Sequence, residues 1–118
     1  LQGLESSGAT VVPIEAFMEN ISGLQCPENI IVHKGWFENT LKETSIEEIS
    51  ILRLDGDLYN STLVCLQELF PKVINGGIVI IDDWELPGCK SACKDYFKSI
   101  NYTPNYKQIS NIMYFINE

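Results

Sequence analysis

Between Ile49 and Trp84 the apolar and polar positions follow a strand–helix–strand rhythm. Ile49-Ser50-Ile51-Leu52-Arg53-Leu54 is of strand length and nearly continuous in apolar residues, the pattern of a strand covered on both faces. Asp55-Gly56-Asp57 follows. A helix is then predicted from Ser61 to Val73, with Leu66, Leu69, Phe70 and Val73 as its buried stripe and Leu63 beside them. Asn60, Ser61 and Thr62 offer side-chain oxygens for its N-cap, and Pro71 predicts a kink or an end between Leu69 and Pro71. Asn75-Gly76-Gly77 reads as a turn into a second strand, Ile78-Val79-Ile80-Ile81, which closes on Asp82-Asp83-Trp84. A right-handed crossover of this kind makes the two strands parallel. Their C-terminal ends then share one rim of the sheet, where open α/β sheets bind ligands.

The flanking segments extend the same reading. Residues 2–10 are polar and glycine-bearing, a loop or a disordered stretch. Pro13 suits the first turn of a helix whose stripe, Ile14, Phe17, Met18 and Ile21, is expected to be core. Ser22-Gly23 stops it. Asn29-Ile30-Ile31-Val32-His33 predicts a short strand, followed by a loop at Lys34-Gly35-Trp36-Phe37 and a short helix over Phe37–Thr44. Beyond Trp84, a helix is predicted from Cys89 to Ile100, with Ala92, Cys93, Tyr96, Phe97 and Ile100 on its inner face. Asn101–Ile109 is a strand weakened by Pro104, and Ile112–Ile116 is a last strand. With no helix between them, these two should form an antiparallel hairpin.

Composition narrows the function. The chain has 118 residues, room for one modest domain. Its net charge of −8 argues against nucleic acid or an anionic membrane as the main partner. No apolar run approaches the roughly 20 residues that span a bilayer, and no signal peptide is visible. Cys26, Cys65, Cys89 and Cys93 form no CxxC pair and read as reduced core thiols of a cytoplasmic protein. Cys89 and Cys93, spaced i, i+4, would share a helix face.

The candidate chemistry lies in the carboxylates. Asp55, Asp57, Asp82 and Asp83 should meet on one rim, where like charges repel unless something neutralises them. A hard cation such as Mg²⁺, which prefers oxygen ligands, does so; ordinary turn chemistry facing water is the plainer alternative. Asp57 suits a general base beside a metal-bound hydroxyl, or equally a partner for the positive end of the following helix. Trp36 and Trp84 both follow predicted strands on this rim, where they would stack on a purine or a cation or be buried. His33, the sole histidine, has no Ser or Cys nucleophile motif to form a triad.

At these residues the chain resembles the macrocin O-methyltransferase family, the metal-dependent sugar O-methyltransferases of macrolide and aminocoumarin pathways. The matching phrases are Gly35-Trp36-Phe37-x-x-Thr40-Leu41, Leu52-Arg53-Leu54-Asp55-Gly56-Asp57-Leu58-Tyr59-x-Ser61-Thr62, Leu69-Phe70-Pro71-Lys72-Val73, and Gly76-Gly77-x-Val79-Ile80-x-Asp82-Asp83-Trp84 with Pro87-x-Cys89. The resemblance implies the C-terminal part of a Rossmann-like class I methyltransferase, an α/β fold with a mostly parallel sheet ending in an antiparallel hairpin. It implies transfer of a methyl group from S-adenosylmethionine to a hydroxyl of a sugar-containing small molecule. By the same resemblance Asp55, Asp82 and Asp83 hold Mg²⁺, Asp57 is the base, and Gly35, Trp36, Phe37 and Asp55 lie at the cofactor.

The family's glycine-rich cofactor loop and its ribose-binding acid precede the matched region, and this chain has neither. It is therefore expected to be a truncated piece or a reduced relative, one domain over residues 1–118, weak or inactive alone. An open parallel edge invites self-association, hence a homo-oligomer. Two other classes compete. Asp55-Gly56-Asp57 is also the DxD phrase of glycosyltransferases that use nucleotide sugars, and a non-catalytic remnant of the fold would only dimerise.

Overall fold

The parallel ladder between β1 (Ile49–Leu54) and β2 (Val73–Ile81) is the centre of the fold. It is seen in a computed structural model that describes residues 13–25 and 27–118. The chain divides into two units, Leu1–Gly35 and Trp36–Glu118. The second unit carries a four-stranded sheet of order β1-β2-β4-β3, with β3 at Lys107–Ile109 and β4 at Ile112–Ile116. The β1–β2 ladder is parallel; β2–β4 and the β3–β4 hairpin are antiparallel. The hairpin turns at Ser110, which adopts φ 56°.

Alternation explains the core. Leu52 and Leu54 of β1, Val79 and Ile81 of β2, and Met113 and Phe115 of β4 are all buried. Successive strand residues point to opposite faces, so these six line one side of the sheet. Helices α3 (Tyr59–Leu69) and α4 (Pro87–Ser99) supply the rest of the core: Cys65, Leu66 and Leu69 from α3, and Cys89, Ala92, Cys93, Tyr96 and Phe97 from α4. Phe70 meets the rings of Tyr96 and Phe97 edge to face, at 5.9 and 5.0 Å between centroids. Such pairs add about 0.5–1.5 kcal/mol beyond the area they bury. The opposite face is less covered than the run of apolar residues suggests. Ile51 is 62% exposed, so β1 is not buried on both faces.

Several local expectations change. The crossover helix begins at Tyr59 and is N-capped by Leu58 without any side-chain bond, so Asn60, Ser61 and Thr62 lie inside it rather than capping it. It ends at Leu69, where Pro71 cannot continue an α-helix and a 3-10 turn, Phe70–Lys72, takes over. Asn75-Gly76-Gly77 is not a turn before the strand. It is a bulge within β2, where Ile49 pairs with Val73 but Ile51 already pairs with Ile78. Gly76 takes φ 86°, a region only glycine enters freely. Asn117 holds the bulge: its carbonyl accepts from Gly76 N–H at 2.6 Å, and its Nδ2 donates to the carbonyls of Val73 and Ile74. Ile100 is 44% exposed, past the end of α4, and so is not part of its inner face. Only Lys107–Ile109 of the predicted strand after α4 is extended in a ladder, and it lies at the sheet edge, as Pro104 requires.

The first unit holds α1 (Ile14–Ile21), with Pro13 at its N-cap, and a 3-10 turn at Pro27–Asn29. The apolar stripe of α1 is not core: none of its residues is buried, and Phe17 and Met18 are 41% and 47% exposed. Ile30–His33 forms no strand. β-propensity expresses itself only when a ladder partner and a packed face are present, and Ile31 is 79% exposed. Residues 2–10 and Cys26 lie outside the described residues. A short helix, α2 (Phe37–Thr40), opens the second unit and passes into a 3-10 turn at Leu41–Glu43.

The bulge makes a direct test. A Cβ on Gly77 would sit 2.8 Å from Val73 Cγ1 and 2.9 Å from the Ile74 carbonyl oxygen. Gly77→Ala should lower the unfolding free energy by about 1–3 kcal/mol, the usual cost of overpacking, read as a lower urea midpoint at unchanged slope.

Candidate functional site

The ladder register builds the site. Leu54 pairs with Ile81, and the next bond, Asp82 N–H to the Leu54 carbonyl at 3.0 Å, extends the ladder past both strand ends. Asp55 is thereby fixed beside Asp82-Asp83. The side chains then sort by pleat parity. Arg53 and Asp82 lie on the face opposite the helices, whereas Asp55, beyond the end of β1, turns its carboxylate toward Asp57 and Asp83. Asp83 follows Val79 and Ile81 toward the helices and is partly buried.

Parity separates the adjacent acids. Asp82 is bound by the guanidinium of Arg53, whose Nη2 donates to its Oδ2 and also lies 3.8 Å from Asp55 Oδ2. The hydrogen bond to Asp82 holds Arg53 still more firmly charged. The three carboxylates that gather are Asp55, Asp57 and Asp83, with one oxygen from each lying within 4.8 Å of the others. The structure does not bring Asp82 into that group. Arg53 was not foreseen as part of the site; its signal was its place next to the last residue of β1, beside the strand that ends in Asp82.

Asp57 reaches the cluster through an uncommon backbone. It has φ 64°, and Leu58 N–H donates to the Gly56 carbonyl across it at 2.6 Å, a tight three-residue turn. A non-glycine residue with positive φ stores strain that persists where its surroundings hold it, and Asp is among the residues that tolerate it. The turn is packed from outside. A Cβ on Gly56 would meet Ser61 Cβ at 3.1 Å and the Phe37 ring at 3.3 Å. Gly88, in the first turn of α4, comes so close to the start of α3 that a Cβ there would lie 2.9 Å from Tyr59 N. The Tyr59 hydroxyl donates to Asp95 of α4 at 2.6 Å, fastening the two helices near this rim. Both helix N-termini approach the carboxylates, and their partial positive charge favours anions there.

The remaining candidates separate. Phe37 lies beside the acidic turn, at the start of α2, and is 38% exposed. Trp36, the N-cap of α2, is 68% exposed and follows no strand. Gly35 has φ 143° and ends the first unit. Trp84 is buried instead of lining the rim, its ring 4.9 Å from that of Tyr106 and under the ammonium of Lys90. Cys65, Cys89 and Cys93 are free and buried. Burial pushes the Cys65 thiol up to about 11, and the hydrogen bond between the Cys93 and Cys89 thiols raises Cys93 while lowering Cys89.

Electrostatically the cluster is unbalanced. Two like charges about 5 Å apart repel by roughly 3 kcal/mol at an effective dielectric near 20, more than a surface ion pair returns. Something must neutralise one of them. In the bare protein that is a proton: burial, then the carboxylates of Asp57 and Asp55, push Asp83 up to about 7. Its Oδ2 is buried without a hydrogen-bond partner. Three carboxylates with one orphaned buried oxygen form an all-oxygen donor set, which fits a hard divalent cation such as Mg²⁺.

The sequence profile described as Macrocin-O-methyltransferase (TylF) matches residues 5–117. A Streptomyces olivaceus protein, 8-demethyl-8-(2,3-dimethoxy-alpha-L-rhamnosyl)-tetracenomycin-C 4'-O-methyltransferase, is 38% identical over 94 residues, 78% of this chain and 36% of that protein. Demethyldecarbamoylnovobiocin O-methyltransferase of Streptomyces niveus is 49% identical over 63 residues, 52% of this chain and 24% of that protein. The solved structure of the O-methyltransferase NovP superposes with a TM-score of 0.82 at 30% identity, covering 97% of this chain and 49% of that one. The matched stretches thus cover 36% and 24% of the length of these curated relatives, and the chain spans about half of the NovP chain. Its α/β architecture is that of the class I methyltransferases. With a profile matched over nearly its whole length, the chain belongs to the macrocin O-methyltransferase family.

Proposed function

We propose that this chain carries the metal-binding and proton-accepting part of a sugar O-methyltransferase site. In this reading the methyl donor is S-adenosylmethionine and the acceptor is a hydroxyl on a sugar-containing small molecule. The observation that carries it is the convergence of Asp55, Asp57 and Asp83 at the ends of parallel strands, in a chain of this family. Asp55 and Asp83 would hold Mg²⁺. When bound, the cation supplies positive charge that makes a neighbouring hydroxyl more acidic. Asp57, in the same cluster but set by its own strained turn, is the carboxylate that accepts the acceptor's proton. Arg53 holds Asp82, the first acid of the adjacent pair, and so keeps it oriented away from the cluster. Phe37, against Gly56, and the exposed Trp36 offer aromatic surface to the donor's adenine; Gly35 precedes them in the same phrase. A DxD glycosyltransferase would rest on Asp55 and Asp57 alone, and the inclusion of Asp83 in the cluster favours the methyltransferase reading.

Metal binding is tested by titrating Mg²⁺, or Mn²⁺ with a spectroscopic readout, into single variants. Asp83→Asn and Asp55→Asn should each weaken affinity at least about tenfold, the loss of one charged hydrogen-bonding or ligating group. Asp82→Asn should change it by less than about threefold. A tenfold loss in Asp82→Asn would mean that Arg53 releases Asp82 to the cation, making the ligand set Asp55, Asp82 and Asp83.

Protons and metal should oppose each other in stability. The folded-state pKa of Asp83 is raised, to about 7. Its contribution to stability is therefore present below the unfolded carboxylate pKa and lost as pH rises through about 7. In chelator, the melting temperature should fall between pH 5 and pH 8. Asp83→Asn should flatten that fall, and millimolar Mg²⁺ at pH 8 should reverse it.

Donor binding needs more surface than this chain offers, since the family's glycine-rich loop has no counterpart in it. Isothermal titration of the 118-residue chain with S-adenosylmethionine should show no micromolar site, and methyl transfer by the chain alone should be at background. Micromolar binding would show that the cofactor pocket is complete here.

A further inference from the structure

The chain carries a net charge of −8, yet three of its eight Lys and Arg residues lie on one helix, α4. Lys90, Lys94 and Lys98 lie on α4 at i, i+4 and i+8, on one helix face about 6 Å apart along the axis. Lys107 opens β3. The acidic rim adjoins the start of α4, at Pro87 and Gly88. Lys94 and Lys98 lie roughly 10 and 16 Å farther along the helix.

Between this part of α4 and the segment leading into β3 is an open groove of about 420 Å³. Lys94 and Lys98 border it and are exposed. Its apolar lining comes from Phe97, Tyr102, Pro104 and Tyr106. These rings are held from behind. Tyr102 lies 5.5 Å from Phe97, and Tyr106 lies 4.9 Å from the buried Trp84 and 5.6 Å from Phe115. Among the described residues, neither Lys94 nor Lys98 forms an ion pair; both pairs found belong to Arg53. The groove therefore combines a fixed aromatic wall with two uncompensated ammonium groups. Its volume falls within the range of small-molecule pockets, roughly 300–1,000 Å³.

We propose that this groove binds a planar aromatic anion. The ring packs against Tyr102 and Tyr106, and its carboxylate, sulfonate or phosphate lies between Lys94 and Lys98. Each half of the site selects one half of the ligand. Aromatic walls favour a flat ring through offset or edge contacts, and unpaired ammoniums favour an anion through charge-assisted hydrogen bonds. A long polyanion is disfavoured, because the net charge of −8 repels it everywhere beyond this patch. This site is separate from the acidic rim, and it stands or falls independently of methyl transfer.

The test uses 2-naphthoate as the probe, with its uncharged analogue 2-naphthalenemethanol as control, titrated into the ¹⁵N-labelled 118-residue chain. Two-dimensional NMR should show saturable shifts centred on Lys94, Lys98, Asn101 and Thr103. The uncharged analogue and the Lys94→Gln/Lys98→Gln double variant should each bind about five- to tenfold more weakly, as expected for losing two exposed ion pairs. Both lysines are exposed, so the variant's spectrum should otherwise match that of the parent. The proposal is overturned by shifts centred on the acidic rim, by equal binding of the neutral probe, by an unaffected double variant, or by no shift at millimolar probe.

Discussion

A single backbone hydrogen bond, from Asp82 N–H to the Leu54 carbonyl, determines what this rim can do. It is the last rung of the parallel β1–β2 ladder, and it lies beyond the residues that form the strands. Its presence means that the chain leaves both strands still in register. Without it, Asp55 and Asp83 would be on two independent loops, and their carboxylates would separate to relieve repulsion. With it, as the last rung of the whole β1–β2 ladder, the two strand ends stay side by side and the carboxylates remain close. The energy must be met chemically instead, by a proton on Asp83, by the guanidinium beside Asp82, or by a bound cation.

The rung in turn depends on features far from the rim. The register that delivers Leu54 opposite Ile81 is set after a bulge at the other end of β2. Gly76 and Gly77 allow that bulge, one by its backbone angle and one by the close approach of Val73 and Ile74. Asn117, at the end of the chain's last strand, satisfies the carbonyls the bulge would leave unpaired. A slip of one residue would turn every side chain of β1 to the other face, taking Leu52 and Leu54 out of the core and Arg53 away from Asp82. The glycine pair and Asn117 therefore act on the acidic cluster through register, although they touch none of its members.

How much of this could be read from the amino acids depends on which interactions are local. The crossover was legible because Leu66, Leu69 and Phe70 recur with helical spacing between two apolar runs. The convergence of acids was legible because parallel strands end on the same side. The sorting of Asp82 from Asp83 was legible in principle, since neighbouring residues on a strand point to opposite faces, but identifying Arg53 as the partner of Asp82 requires knowing that the ladder continues past Ile81. Asn75-Gly76-Gly77 resembles a turn because a bulge and a turn draw on the same glycine freedom; only the strand opposite distinguishes them. Ile30–Val32 has the composition of a strand and forms none, because a strand is a relation between two segments rather than a property of one. Trp84 sits in a phrase that suggests a rim residue, yet its indole is buried against Tyr106, a contact that no spacing announces.

Charge is distributed over this fold in a way that neither composition nor the acidic motif conveys. The net value of −8 is an average over a carboxylate-rich rim and a lysine-bearing helix face. α4 connects them: its first turn approaches Tyr59 beside the acids, while its lysines stand progressively farther away. A helix's own dipole favours cations in its last turn, where Lys98 stands, whereas Lys90 lies near the N-terminal end of α4 and gains nothing from it. The acidic rim beside the start of α4 and the lysines along it are two opposite surfaces only a few turns apart. The buried face between them, Cys89, Ala92, Cys93 and Phe97, holds the helix to the sheet. The same packing that keeps Gly88 against Tyr59 thus also fixes where Lys94 and Lys98 stand, and the two surfaces are set by one rigid element.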